Sequence, residues 1–172
     1  MSFEPVHELK ARRDEALRGL VDSAPYHRFL GVSFQRLGDE LTGRLAYDDM
    51  LIGNPAIPAL HGGVTGAFLE ITAIVQLAWD ATWAIMESGE AGRARIADRH
   101  FPPMPKTVDM TIDYLRSGRP RDAYARAQVT KKGRRVANVR VEAWQDERAR
   151  PIAIAHGHFL LPEDGAMGSS GA

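Results

Sequence analysis

Cysteine is absent from the 172 residues. Disulfides, zinc ribbons, iron–sulfur clusters and thiol nucleophiles are thereby excluded. A net charge of either sign is lacking too, because 22 Lys and Arg balance 22 Asp and Glu. A chain built to hold duplex nucleic acid usually carries a clear basic excess, so no nucleic-acid partner is expected. The first twenty residues lack the apolar run of a signal peptide. They carry Glu4, Glu8, Lys10, Arg12, Arg13, Asp14, Glu15 and Arg18 instead, and a cytoplasmic location is expected. A convincing membrane span is missing as well. Gly62 to Trp79 holds one charge, Glu70, but Gly62, Gly63, Gly66, Thr65, Thr72 and Gln76 dilute its hydropathy. At roughly 18 residues it only reaches the minimum length for a span. It reads as a helix buried in a core, and no membrane partner is expected. Internal repeats are absent, and the only low-complexity stretch is the Gly- and Ser-rich tail.

What is present suits one globular domain. Hydrophobic residues make up 44% of the chain and charged residues 26%, enough to close a core without staples. An amphipathic helix is expected over 5–20, with Pro5 in its first turn. Residues 1–30 form an N-terminal helical extension, and the domain proper runs from 31 to 161. Val32–Leu37 and Leu41–Tyr47 read as strands joined across Gly38-Asp39-Glu40. Residues 48–60 are expected as a loop, broken by Gly53-Asn54-Pro55 and Pro58. A long helix follows from about Gly62 to Met86, apolar nearly all round and therefore buried. Trp79, Trp83 and Met86 read as core. The polar, Pro-rich stretch 88–106 is too long for a simple connection and is expected as an excursion or lid. Four strands then alternate apolar and polar residues: Val108–Leu115, Ala123–Thr130, Val136–Trp144 and Ile152–Leu161. Hairpin turns at Lys132-Gly133-Arg134 and Asp146-Glu147-Arg148 make them antiparallel. Residues 162–172 are expected as a flexible tail. Two strands, one long buried helix and an antiparallel run predict an α+β fold, with an antiparallel sheet wrapped around one long central helix.

Glu70 is the residue that chemistry singles out. It stands mid-helix among Gly66, Ala67, Ala73 and Ile74 at helical spacing. A carboxylate there costs stability unless partners satisfy it, and such groups cluster at functional sites. The alternative is an interface carboxylate paired with an Arg. His61-Gly62-Gly63 opens the same helix. Its first turn carries unpaired N–H groups and the positive end of the helix dipole. Glycines there allow a substrate oxygen to approach closely, as in an oxyanion hole. The plainer reading has His61 capping the helix and the glycines easing packing. Spacing adds one inference. Glu70 lies eight residues beyond Gly62, about 12 Å along the axis, too far for both to serve one carbonyl within one chain. Two helices antiparallel across a twofold axis would bring Gly62 of one near Glu70 of the other, so a homo-oligomer is expected, a dimer or a dimer of dimers.

Leu60-His61-Gly62-Gly63-Val64 with Glu70 nine residues after the histidine resembles the signature of hotdog-fold acyl-CoA thioesterases. The likeness is to the phenylacetic-acid-pathway and 4-hydroxybenzoyl-CoA thioesterase type. Thr107-Val108-Asp109-Met110-Thr111-Ile112-Asp113-Tyr114-Leu115 resembles that family's first strand after the helix. Ala155-His156-Gly157-His158-Phe159-Leu160 resembles its closing strand. The resemblance spans about residues 30–161. It implies hydrolysis of an acyl-CoA to free acid and coenzyme A, without a cofactor. It implies Glu70 as nucleophile or general base, Gly62 as the oxyanion N–H, His61 near the thioester sulfur, and Thr107 holding the acid or its water. Gly63 and Asn54 are placed on the substrate side. Pro55 stands where many members carry Asn or Gln, with Asn54 beside it.

Other residues read more plainly. Thr107 by itself is an ordinary strand residue. Arg116, Arg119, Arg121, Lys131, Lys132, Arg134 and Arg135 form a solvated rim, from which some could meet the phosphates of coenzyme A. His156 and His158 share a strand face, but that strand offers no carboxylate beside them, and no metal is expected. Two other functions fit the same pocket: a non-catalytic acyl-CoA-binding protein, and a dehydratase using His61 as base.

Overall fold

The computed structural model describes residues 5–38 and 40–163. From residue 164 the expected tail lies outside the described residues. Helices α1 (Val6–Asp22) and α2 (Pro25–Phe29) precede strands β1 (Val32–Leu37) and β2 (Glu40–Leu45). Short strands β3 (Ile52–Asn54) and β4 (Ala59–Leu60) lead into the long helix α3 (Gly62–Glu87). Helix α4 (Glu90–Ala97) and strands β5 (Lys106–Tyr114), β6 (Ala123–Lys132), β7 (Val136–Trp144) and β8 (Ala153–Leu160) complete the chain. Six strands make one antiparallel sheet in the order β1-β2-β6-β7-β8-β5. This is the hotdog fold, with α3 held in the sheet's concave face.

Period-two patterning explains the wrap. The inward positions of the central strands are small: Ala123, Ala125, Ala137, Ala143, Ala153 and Ala155 are all buried. Small residues bring the sheet close to α3, whose Phe68, Leu69, Val75 and Trp79 fill the space between. The helix is long and apolar enough to cross a membrane, yet 61% of its apolar window is buried inside the protein.

Four expectations change or are refined. The stretch 48–60 is not a plain loop. Asp48 caps a 3-10 turn over Asp49–Leu51, and β3 pairs with β4. Strand β2 stops at Leu45 rather than Tyr47. The Tyr47 N–H donates to Asp122 Oδ1 and its hydroxyl donates to Asp49, which draws the chain off the ladder. The 88–106 stretch, expected as an excursion or lid, is an excursion built around a helix. Gly89 turns it with a φ of +132°, and Gly92 passes so close to α3 that a Cβ would lie 1.9 Å from the Ile85 carbonyl oxygen. Phe101 pins the stretch to α1, where a Cβ on Gly19 would lie 2.9 Å from its ring.

The fourth change is in β5. Simple alternation groups Val108 with Met110, Ile112 and Tyr114. Instead Thr107 pairs with Phe159 and Asp109 with His158, leaving Val108 as an extra, bulged residue that is 61% exposed. A bulge re-aims the side chains on either side of it. Thr107 therefore shares the inward face with Met110 and Ile112.

Candidate active site

The re-aimed Thr107 hydroxyl donates to Glu70 Oε1 at 2.5 Å. Glu70 is half-buried, on a stripe of α3 that also carries Ala67 and Ile74. Its carboxylate is thus satisfied from within its own chain, and no Arg pairs with it among the described residues. One oxygen is engaged by Thr107, and Oε2 has no partner among the described residues. A short bond to an ionised acceptor is the strong kind and fixes the carboxylate rotamer.

At the other end of this stripe, the N-terminus of α3 is built around His61. Its Nδ1 accepts from the Gly63 N–H at 2.9 Å, which caps the helix. The other ring nitrogen, Nε2, therefore carries the proton and points a donor outward. The Gly63 amide, expected on the substrate side, is committed to this cap. The Gly62 N–H has no partner among the described residues, so it is the open donor of the first turn. His61 is held by two neighbours. Its N–H donates to the Leu51 carbonyl at 2.8 Å, and Gly53 lies beneath it so tightly that a Cβ would come within 2.7 Å of the histidine. Glycine at position 53 is a steric requirement of this corner.

Tyr114 is a site residue that sequence reading counted only as strand core. Its hydroxyl donates to the Gly62 carbonyl at 2.7 Å, and its ring lies 3.6 Å from where a Gly62 Cβ would stand. The only sequence signal is its period-two phase with Ile112. Gly66, one turn before Glu70, is buried against β5, where a Cβ would meet Ile112 Cδ1 at 3.1 Å. Ala73 is fully buried in its own core as well. Ala67 alone of the three small residues stays on the half-open stripe. Asn54 lies apart from Glu70, at the end of β3, and its Oδ1 accepts from the Ala56 N–H in a local turn.

On the outer face of the sheet, His158 Nδ1 lies 2.8 Å from Asp109 Oδ1. The carboxylate missing from the histidine's own strand is supplied by its neighbour β5. Among the described residues no group of three or more His, Asp or Glu is placed to hold a metal ion.

A half-open carboxylate tied to a strand hydroxyl and a free amide thus stand on the same central helix. Residues 58–152 match the family described as Thioesterase superfamily. The chain belongs to the thioesterase superfamily. Another member, the medium/long-chain acyl-CoA thioesterase YigI of Escherichia coli (strain K12), is 32% identical over 140 residues, 80% of this chain and 85% of that one. A solved Chromobacterium violaceum protein is 36% identical, with a TM-score of 0.61, covering 90% of this chain and 95% of its own. The E. coli PaaI protein from the phenylacetic acid degradation operon superposes with a TM-score of 0.65 over 87% of this thioesterase and 93% of PaaI. At 13% identity it shares the fold alone.

Proposed function

We propose that the protein hydrolyses medium- to long-chain acyl-CoA thioesters, with each active site built from two copies of the chain. The observation that carries the reading is the Thr107–Glu70 pair on the uncovered stripe of α3. Glu70 Oε2 takes a proton from water, and the water oxygen adds to the thioester carbonyl. The C–S bond then breaks, and the thiolate of coenzyme A leaves and is protonated. The Gly62 N–H and the His61 Nε2–H of the second copy stabilise the oxyanion and the sulfur side. Thr107 fixes the Glu70 rotamer. A Glu70-bound acyl anhydride trapped in a single turnover would reassign Glu70 as the nucleophile.

Two features support the shared site. Gly62 and Glu70 sit on one unbroken helix, about 12 Å apart along its axis. The sheet also ends in a long bare edge, β5, where Val108, Tyr114 and neighbouring Leu115 are exposed. Such an edge invites pairing with another strand, and a second β5 across a twofold axis would extend the sheet and oppose the two helices. The dehydratase reading is disfavoured, because the cap takes the Nδ1 lone pair and leaves the open Nε2 protonated, with no lone pair to act as base.

Thiol release is measured over a panel of acyl-CoAs of increasing chain length, and turnover should peak in the medium-to-long range. Sharing is tested by mixing a Glu70→Ala protein with a Gly62→Pro protein under conditions of subunit exchange. A hybrid dimer holds one intact site, so a measurable fraction of wild-type activity should return. Exchange without recovery, or a fully active monomer, removes the shared site.

A further inference from the structure

Glu70 continues a line of residues along α3. Residues 70, 77, 81 and 84 fall on one helical face, since these steps nearly close whole turns. Leu77, Ala81 and Ala84 form the floor of an open cleft of about 500 Å³. Its far wall is the 88–106 insertion, through Arg95 and Pro103. Its near rim is the β6–β7 hairpin, through Lys132 and Arg134. Pro105, two residues before Thr107, and Leu77, two turns beyond Glu70, also line it, so the cleft runs toward the Thr107–Glu70 pair.

The chemistry of this cleft is two-sided. The floor is aliphatic, the far wall is proline with one arginine, and the near rim is cationic. Lys132 and Arg134 are exposed and have no ion-pair partner among the described residues. Lys132 has Asp80 within electrostatic reach, and Asp80 accepts a hydrogen bond from Gln76 at 3.0 Å. The other acid at the rim, Glu163, is already paired with Arg135. Arg95 uses only its Nε, on the His100 carbonyl. An acyl tail has no use for a solvent-open cleft edged with cations. A long amphipathic arm that ends in phosphates matches both the floor and the rim. Ala81 lies about 16 Å along the helix from Glu70, so the arm must be extended.

We infer that this cleft holds the pantetheine arm of an acyl-CoA, with Lys132 and Arg134 on its phosphates and the 88–106 insertion as its outer wall. The inference rests on the hydrolytic reading only for where the thioester lies. The insertion is thereby a specificity element, since it turns an open helix face into a channel for a phosphorylated carrier.

Free coenzyme A and pantetheine are the probes, titrated calorimetrically into the full chain. Coenzyme A should bind at least about tenfold more tightly than pantetheine at low salt, the worth of one charge-assisted hydrogen bond. The preference should shrink as salt rises. It should vanish in the Lys132→Ala/Arg134→Ala protein, whose changes lie on an exposed hairpin. Ala84→Trp, at an exposed floor position, should weaken both probes alike. In turnover, the double variant should raise KM for an acyl-CoA and leave kcat in place. Equal binding of the two probes by the wild type, or a preference retained in the double variant, overturns the assignment. A phosphate-dependent preference without turnover would remove the hydrolytic reading and keep this one. Turnover without that preference does the reverse.

Discussion

The two halves of α3 are made differently. The first half begins with glycines and a histidine cap and keeps Ala67, Glu70 and Ile74 half-open. The second half carries α1 on one side and leaves Ala81 and Ala84 open on another. Trp79 packs edge-on to Trp83 at 5.9 Å, and the Arg13 guanidinium of α1 lies 3.9 Å over the Trp83 ring. Arg13 also meets Glu87 at 3.0 Å, which ties α1 to the end of the helix. The N-terminal helix therefore braces the last turns of α3, more than three turns beyond Glu70. A carboxylate can be retained in the first half because Thr107 satisfies it and water reaches it. In the second half the acid that is present, Asp80, is satisfied by the Gln76 amide one turn earlier on the same helix.

The sharpest way to break the contrast is to remove the acid. Glu70→Ala should lower kcat about 10²–10⁴-fold, the usual worth of a general base. Because Glu70 is half-open and makes one side-chain hydrogen bond, its melting temperature should change little. Thiol-release kinetics and thermal melts on the same protein check both halves of the expectation. Comparable turnover in the variant would remove Glu70 from the reaction.

The mirror experiment is Trp83→Ala. It deletes an aromatic pair and a cation–π contact, together about 1–3 kcal/mol of stability. Denaturant melts should show that loss. Turnover at low temperature should stay near wild type, since nothing at Glu70 or Gly62 is touched. A large kcat defect in a folded Trp83→Ala protein would mean that the halves are coupled.

Much of this contrast is legible in the sequence. The long apolar period of α3, the histidine and glycines at its start and the isolated Glu70 stand out because one helix carries them all. The strands after position 123 are legible because small inward residues alternate with polar ones. What is not legible is set by the ladder and by long-range contact. The bulge at Val108 hides behind good alternation, and only pairing with Phe159 and His158 reveals it. Thr107 therefore looks like an ordinary strand residue until the bulge turns it inward. Helix α4 is hidden because Ile96 is its only buried side chain, so no apolar stripe announces it. The glycine at 53 and the hydroxyl of Tyr114 act on residues brought near by the fold, at His61 and Gly62.

The bulge makes its own prediction. Thr107→Val keeps the shape and removes the donor to Glu70. Loss of a hydrogen bond to a charged group is worth about 1.5–3 kcal/mol, so kcat/KM should fall roughly tenfold or more. Thr107→Ser, which restores the hydroxyl, should recover most of it. A Val variant with normal kcat/KM would reduce Thr107 to strand packing.

The smallest effect concerns the carboxylate of the second half. Asp80 sits seven positions before the end of α3, and burial pushes its carboxyl above the ordinary range, with the Gln76 amide and Lys132 pulling the other way. A pKa raised in the folded state means that the folded protein favours the protonated acid. The stability from that preference is present below the unfolded value, about 3.9, and is lost as pH rises through the folded value. Asp80→Asn mimics the protonated form and can still accept from Gln76. It should therefore raise the melting temperature at neutral pH by about one to two degrees, modest because the site is partly open to solvent. The gain should shrink as pH falls through the folded value and be gone below about 3.9, where the wild-type acid is protonated in both states. Melts of both proteins across that range check the sign. A gain that persisted at acid pH would assign the effect to packing, and a loss at neutral pH would mean that the attraction to Lys132 outweighs the cost of burial.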